Sequence, residues 1–529
     1  MSSNGSPGSG ARAGAREWAG LAVLALPTLL LSLDVSVLFL ALPHLSADLG
    51  ASPTQSLWIM DIYGFMIAGF LVTMGTIGDR IGRRRLLLIG AAAFGIASVL
   101  AAYSGSAETL IVTRAVLGIA GATLMPSALA LISNMFVDLR QRGFAIAVFV
   151  SCFMGGAALG PMFGGLLLER FWWGSVFLLG VPVMVLLLVT APLLLPEHRD
   201  PGAGRVDLVS VLLSLLALLP VIYGLKDLAA EGASTTAVLS VAAGVAFGTA
   251  FVRRQRRLTY PLLDLRLFGN RAFSVVLGIL LLGMVLQGGI YLLASQYLQL
   301  VEGNSPQTSG LLLVSPALAL VAGSLLAPIF ARRLGSGVVI AAGLAVSVVG
   351  FGLLTQVEPA TGPLVLIIGT TVGFFGAAPI GALGIDLIVG VAPPAKSGSA
   401  SAVAETSGEL GIALGVATLG SVGTAVYSAR FAATVPPAVP ADEAGAAGGS
   451  LADAVGVAED LPADLAADLT AAARSAFAEG LNLAGGIGAV LSLGLAVLAV
   501  TMLRHPRPGA ENAGRTGEHG EVAPMVEQD

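Results

Sequence analysis

An all-α membrane protein with fourteen transmembrane helices, arranged six plus two plus six, is the fold class this sequence predicts. Three observations carry it. Of 529 residues, 56% are hydrophobic and only 11% are charged, less than half the charge of an ordinary soluble domain, and mean hydropathy is +0.89. Apolar runs recur along the chain at about the 20 residues a bilayer crossing needs. Charge is segregated as well. The stretch GTIGDRIGRRR, residues 75–85, places four arginines and one carboxylate in a glycine-punctuated turn between two such runs, which the positive-inside tendency assigns to the cytoplasm.

Residues 1–17 are rich in Gly, Ser and Ala and read as a disordered cytoplasmic tail. The apolar run at 18–43 is longer than the core of a signal peptide and reads as a retained span. Spans at 55–75, 86–104, 108–132, 143–168 and 172–195 complete an N-terminal six-helix bundle over 18–197. Two inserted helices, 208–228 and 234–252, share residues 198–271 with a basic linker. Its RRQRR run reads as topogenic charge contacting anionic lipid head groups. Spans at 272–300, 307–331, 336–356, 363–391, 398–426 and 480–503 form a C-terminal bundle over 272–503.

Within that bundle the external segment 427–479 is acidic, with three prolines near its start and helical spacing over 451–477. It reads as a helical hairpin that either draws cations to the outer mouth or is a plain solvated cover. Residues 504–529 form a second cytoplasmic tail. The basic residues test this layout. Of the 27 Lys and Arg, only Arg170, Lys226, Arg430 and Arg474 fall in segments assigned outside, and only Arg114 lies within a span. Both termini are therefore expected inside, in the cell inner membrane.

Several function classes fall away. The single cysteine, Cys152, has no partner for an intramolecular disulfide, and the four histidines show no ligand spacing, so no metal site is expected. Nothing marks an enzyme, a cofactor or a nucleic-acid partner.

Ionisable groups inside spans are costly and point to partners or wet cavities. By rise per residue, Asp34 lies about 24 Å from the cytoplasmic start of the first span, and Asp61 and Arg114 each about 9 Å from the external start of theirs. These three fall at nearly one level. Two acids against one arginine leave an acid free to take a proton or a cation, unless the cluster is a compensated structural network. Glu405 and Glu409 stand i, i+4 on one face of the thirteenth span, about 6 Å apart along the axis and about 10 and 16 Å deep. Asp386 falls near a cytoplasmic end. Trp58, Tyr63 and Phe65, with Gln287 and Tyr291, are candidate cavity-lining residues, packing or lipid contact being the alternative.

Gly156, Gly160, Pro161, Gly164 and Gly165 make a bent fifth span that lets a neighbour approach closely. In the basic turn, Asp79 with Arg80, Arg83 and Arg84 suits a charge latch on an inner gate. A topogenic role accounts for the arginines but not for Gly75, Gly78 and Gly82.

The turn GTIGDRIGRRR, with Gly75, Gly78, Asp79, Arg80, Gly82, Arg83 and Arg84 in place, resembles the loop that marks the major facilitator superfamily. LDVSVLFLALP at 33–43 is similar to the first-helix signature of its fourteen-helix drug:proton antiporters. Arg114 with Gly118, Gly121 and Ala122 resembles the fourth-helix motif, although Leu117 replaces the usual glutamine. GGAALGPMFGG at 155–165 is similar to the antiporter motif. The resemblance implies a major facilitator fold with two halves rocking about a midplane cavity. It also implies QacA-type multidrug efflux: export of lipophilic or cationic small molecules, driven by protons without a cofactor, from a monomer among membrane lipids. Export of one endogenous metabolite, antibiotic or lipid is the alternative within transporters. A non-transporting receptor or assembly subunit is the alternative outside them.

Overall fold

The computed structural model describes residues 13–197, 207–231, 234–258, 261, 263 and 265–503, less 360–361 and 392–396. The tails 1–12 and 504–529 and the linker 198–206 lie outside the described residues, as does the side chain of Asp79. The chain opens with α1 (Ala15–Leu49), α2 (Pro53–Ile81), α3 (Arg83–Ala102), α4 (Ala107–Met135), α5 (Leu139–Arg170), α6 (Ser175–Leu178) and α7 (Gly180–Leu194). A hairpin of α8 (Leu208–Glu231) and α9 (Thr235–Gln255) follows. Next come α10 (Arg271–Gln296), running into a π-helical turn at Tyr297–Val301, then α11 (Pro306–Leu334), α12 (Ser336–Leu354), α13 (Leu364–Val391) and α14 (Ser397–Thr434). Two short helices, α15 (Ala441–Ala447) and α16 (Leu451–Glu459), precede α17 (Ala463–Met502).

Among the described residues, eleven helices are long and apolar enough to cross a membrane, α6 and α7 counting together as one. Helices α2, α5 and α8 do not meet that measure.

The two ends of the bundle are built differently. At one end serines start the helices. Ser52 accepts the Gln55 amide at 3.2 Å while the Gln55 side chain accepts the Ser52 amide at 3.0 Å, a reciprocal cap with Pro53 following where no helical hydrogen bond is lost. Ser106 caps α4 by accepting the Thr109 amide, and Ser305 caps α11 by accepting the Thr308 amide. At the other end single glycines reverse the chain: Gly82 (φ 112°) joins α2 to α3, and Gly335 (φ 87°) joins α11 to α12. An L side chain resists such positive φ values. Arg80 to Arg85 and Arg332–Arg333 flank these turns, so this is the basic end, and the end bearing α15 and α16 is the capped end.

Helix α1 lies on α5, α2 on α4, and α3 on α4 and α7. In the second set α10 lies on α14, α11 on α13, and α12 on α13 and α17. The two sets meet along α5–α11 and α2–α14. Helix α8 wedges against both α2 and α14, where Phe65, Ile222, Ala413 and Ala417 form a small buried cluster of their own. Its hairpin is fastened at the basic end. Arg254 donates two hydrogen bonds to Asp207, 2.8 and 2.9 Å, and the Gln255 amide donates to Ser210 Oγ at 2.7 Å.

The structure departs from the sequence expectation at the last spans. The helix expected over 480–503 begins at Ala463 and runs 40 residues, about 60 Å against a hydrocarbon core of about 30 Å. It therefore projects at the capped end. The hairpin expected over 451–477 is α16, a short link and the first turns of α17. The sixth span breaks at Leu179, between α6 and α7.

Candidate functional site

Asp34 on α1 and Arg114 on α4 come together in the interior of the first set. Arg114 Nη1 donates to Asp34 Oδ2 at 2.6 Å, with side chains 1% and 10% exposed for Arg114 and Asp34. The arginine has further support. Its Nε donates to the Ile59 carbonyl at 3.3 Å, and its guanidinium carbon lies 4.4 Å over the Tyr63 ring centre and 5.8 Å from that of Phe177. Two glycines make this seat. A Cβ on Gly118 would come 2.5 Å from the Tyr63 carbonyl, and one on Gly121 would reach 3.3 Å from its hydroxyl. Asp61 is buried on α2 between Ile59 and Tyr63, the two residues that hold Arg114. Removing the arginine would leave a carboxylate without its cation in an enclosed site, which is strongly penalised, whereas the arginine has the Ile59 carbonyl and the Tyr63 ring besides Asp34.

Glu405 and Glu409 stand one turn apart on α14, both half-buried. Gly64 of α2 faces Ala413 one turn further along α14. A Cβ on Gly64, the residue after Tyr63, would also reach 3.8 Å from the Glu409 carbonyl, so α2 both seats Arg114 and packs against the helix that bears Glu405 and Glu409.

Other candidates separate into groups. Tyr291, half-buried on α10, meets Phe39 of α1 edge-on at 4.9 Å and stacks on Phe374 of α13 at 6.1 Å. Beside it, Ser295 donates to the Phe39 carbonyl at 2.9 Å. Gln287 is half-buried one turn before Tyr291. Phe65 is fully buried in the α2–α8–α14 seam, and Trp58 packs against that seam. Asp386 is exposed.

The glycines of α5 form two contact faces. A Cβ on Gly156, Gly160 or Gly164 would run into Leu29, Ser36 or Val37 of α1 respectively. One on Gly165 would come 2.5 Å from the Pro306 carbonyl of α11, and Gly310 of α11 abuts the Pro161 carbonyl. The motif therefore packs α5 within its own set and seals it to the other set at the capped end. Gly420 of α14 against Leu57 of α2, and the Phe39 contacts above, lie toward the same end.

At the basic turn, a Cβ on Gly78 would reach 3.0 Å from Arg83 Cδ, and Gly82 supplies the positive φ. Gly75 has open space around it and Arg80 is exposed. Arg84 donates to the Leu195 carbonyl at 2.9 Å just beyond the end of α7, and Glu197 lies 3.6 Å from Arg84 and 3.8 Å from Arg85. Asp79, the carboxylate of the expected latch, has its side chain outside the described residues. Among the described residues no group of three or more His, Cys, Asp and Glu is placed to hold a metal ion.

Sequence reading did not find the Tyr63 seat, the Asp207–Arg254 clasp or the second glycine turn at Gly335. The last had a signal, since Arg332, Arg333 and Gly335 echo Arg80 and Gly82 at the same end.

Comparison with known proteins gives consistent results. The profile described as Major Facilitator Superfamily matches residues 24–416. The chain is 44% identical over 412 residues to the multidrug efflux pump LfrA of Mycolicibacterium smegmatis, covering 78% of this chain and 82% of that one. It is 34% identical over 422 residues to the methyl viologen resistance protein SmvA of Salmonella typhimurium, covering 78% and 84%. Among solved structures, a POT family transporter in complex with 5-aminolevulinic acid superposes with a TM-score of 0.62 at 14% identity, covering 92% of this chain and 97% of that one. That last likeness concerns the fold alone.

Proposed function

The chain belongs to the major facilitator superfamily, and from that premise we propose that it is a proton-coupled antiporter exporting lipophilic, cationic drugs or antiseptics from the cytoplasm. The observation that carries the proposal is the buried Asp34–Arg114 pair, seated on α2, whose Gly64 packs against Ala413 and the Glu409 carbonyl of α14. Relatives described as a multidrug efflux pump and a methyl viologen resistance protein support the substrate class.

In this reading the protein crosses the inner membrane fourteen times with both termini and the basic end in the cytoplasm. Residues 18–197 and 272–503 are the two rocking halves, and 198–271 is the insert. The monomer works among lipids with no cofactor. With the halves sealed at the capped end, a cation enters from the cytoplasm and competes with protons for Asp34, Asp61, Glu405 and Glu409. The site then opens outward, protons from outside reload the acids, and the cation leaves. Arg114 stays seated on the Tyr63 ring and the Ile59 carbonyl throughout, so its charge keeps partners when Asp34 takes a proton. The basic turn and the α5 glycines supply the moving contacts at the two ends.

The test uses inside-out vesicles with an imposed proton gradient, acidic inside. A transported cation should collapse the gradient when added. A receptor or assembly subunit would leave it unchanged, and a dedicated exporter would respond to one compound but not to a panel of unrelated cations.

A further inference from the structure

A cavity of about 110 Å³ lies at the capped end, on the far side of the Phe39–Tyr291 closure from Asp34. Its walls come from both halves: α1 and α2 on one side, α10, α14 and α17 on the other, with α16 as the roof. Leu57, Leu292 and Phe477 make much of it apolar. Ser46 and Ser56, whose hydroxyls are 2.8 Å apart, line one edge. Asp453 supplies its one carboxylate, which accepts from Ser450 Oγ at 2.7 Å. Among the described lining residues there is no Lys, Arg or His.

We propose that this cavity is an exit-side binding site for the positively charged head of an alkylammonium or similar organic cation, with Asp453 as its counter-charge. The inference rests on the export reading above and names a second stop on the same path. Three features argue for it. The volume matches about three or four waters, or one quaternary ammonium head, and falls short of the roughly 150 Å³ that a benzene-sized guest occupies. A head group fits while its tail lies along the apolar walls. Second, the carboxylate has lost water without gaining a cation: burial raises the Asp453 carboxyl above its usual range, the Ser450 hydroxyl pulling the other way. An arriving cation would supply the missing charge.

Third, the roof is carried by one half. Tyr427 donates to the Ala447 carbonyl and Ser428 to the Gly448 carbonyl, both at 2.9 Å, and Arg430 pairs with Glu479 at 2.8 Å. These bonds tie α15 and the link that follows it to α14, and α14 to α17, on which α16 packs. Toward the first half α16 only rests on α1, with Gly449 beside Pro53. When the halves part at this end, the roof moves away with the second half and Asp453 is presented to the departing cation.

The experiment uses the full-length protein in nanodiscs, with Cys152→Ser and Ser46→Cys, and follows the labelling rate by a membrane-impermeant maleimide. Choline is the probe, and 3,3-dimethyl-1-butanol is its neutral isostere. Choline should slow labelling and the alcohol should not. Asp453→Asn should weaken choline protection about tenfold, the worth of one charge contact. Asp453→Glu should keep it and show that the fold is intact, and Glu459→Gln, exposed on the same helix, should change nothing. Equal protection by the alcohol, no protection at all, or full protection in Asp453→Asn would overturn the proposal. Dye export by the same wild-type protein is read in parallel, so a missing exit site and a missing export activity give different results.

Discussion

Arg114 lies with its guanidinium carbon 4.4 Å above the centre of the Tyr63 ring, on the helix that also carries Asp61. A buried cation–π contact is worth about 2 kcal/mol, and the Ile59 carbonyl adds a hydrogen bond to the same side chain. The arginine is therefore held by groups that do not titrate near neutrality, while its carboxylate partner is the more exposed member of the pair. That asymmetry is what the proposed coupling requires of the pair: the arginine keeps partners other than Asp34.

The first prediction follows from this arrangement. Asp34→Asn should insert and fold but lose uphill export of every cation, since the amide keeps the shape and cannot exchange a proton. Arg114→Ala should also lose stability, by about 3–5 kcal/mol, the usual cost of breaking a buried pair from one side. Tyr63→Phe keeps the ring and should pump nearly normally, whereas Tyr63→Ala should fail. Dye accumulation in cells and thermal unfolding of purified protein separate these cases. Normal pumping by Asp34→Asn would remove Asp34 from the coupling role.

Orientation is tested by labelling in intact cells, in a Cys152→Ser background. Ala47→Cys, exposed at the capped end, should react with an impermeant reagent from outside. Arg85→Cys, 64% exposed at the basic end, should react only after the cells are opened. Gly82 is a poor position for the probe because its φ of 112° would be strained by any side chain. External labelling at position 85 would invert the whole topology.

The clasp on the inserted hairpin gives a pH prediction. The Arg254 hydrogen bond is the main reason that the Asp207 carboxyl sits at about 2, below its usual 3.8, with burial opposing and Ser210 assisting. Because the folded value is depressed, the stabilisation is present above pH 3.8 and is lost as pH falls through about 2. Asp207→Asn should lower the unfolding midpoint at neutral pH. Arg254 is 37% exposed, so the difference should be about 1 kcal/mol or less. It should shrink below pH 4 and vanish near pH 2; a gap that widens in acid would rule the clasp out as its source.

How much of this was legible in the sequence depends on what kind of residue carries the information. Asp34 and Arg114 stand out because a charge in an apolar run is rare, and rise per residue places them at one level. Gly156, Gly160 and Gly164 stand out by their regular spacing. The location of Phe65 was not legible, because lipid and protein interior are equally apolar and hydropathy cannot tell which side of α2 the α8 helix covers. Asp207 and Arg254 are 47 residues apart, so no local spacing rule pairs them. Tyr63 could be named as an aromatic near the site, but its face-on placement under Arg114 depends on how closely Gly118 lets α4 approach.

The last prediction concerns the acidic face of α14. Glu405 and Glu409 point the same way from consecutive turns, and two like charges at that spacing oppose simultaneous ionisation. A single positive charge needs one ionised carboxylate and can use Asp34 alone. A dication gains most from a second carboxylate, and Glu409 is the member whose backbone meets Gly64 of α2 at the seam between the halves. Glu409→Gln should therefore impair export of dications more than of monocations, by about tenfold for the loss of one charge contact. Glu405→Gln should have a smaller effect in the same direction. Efflux of matched mono- and diquaternary compounds from one set of cells measures the ratio directly. Equal losses for both classes would make the pair a general coupling element, and no loss for either would make it a structural feature of the α14 helix, with charge selection left to the Asp34 side.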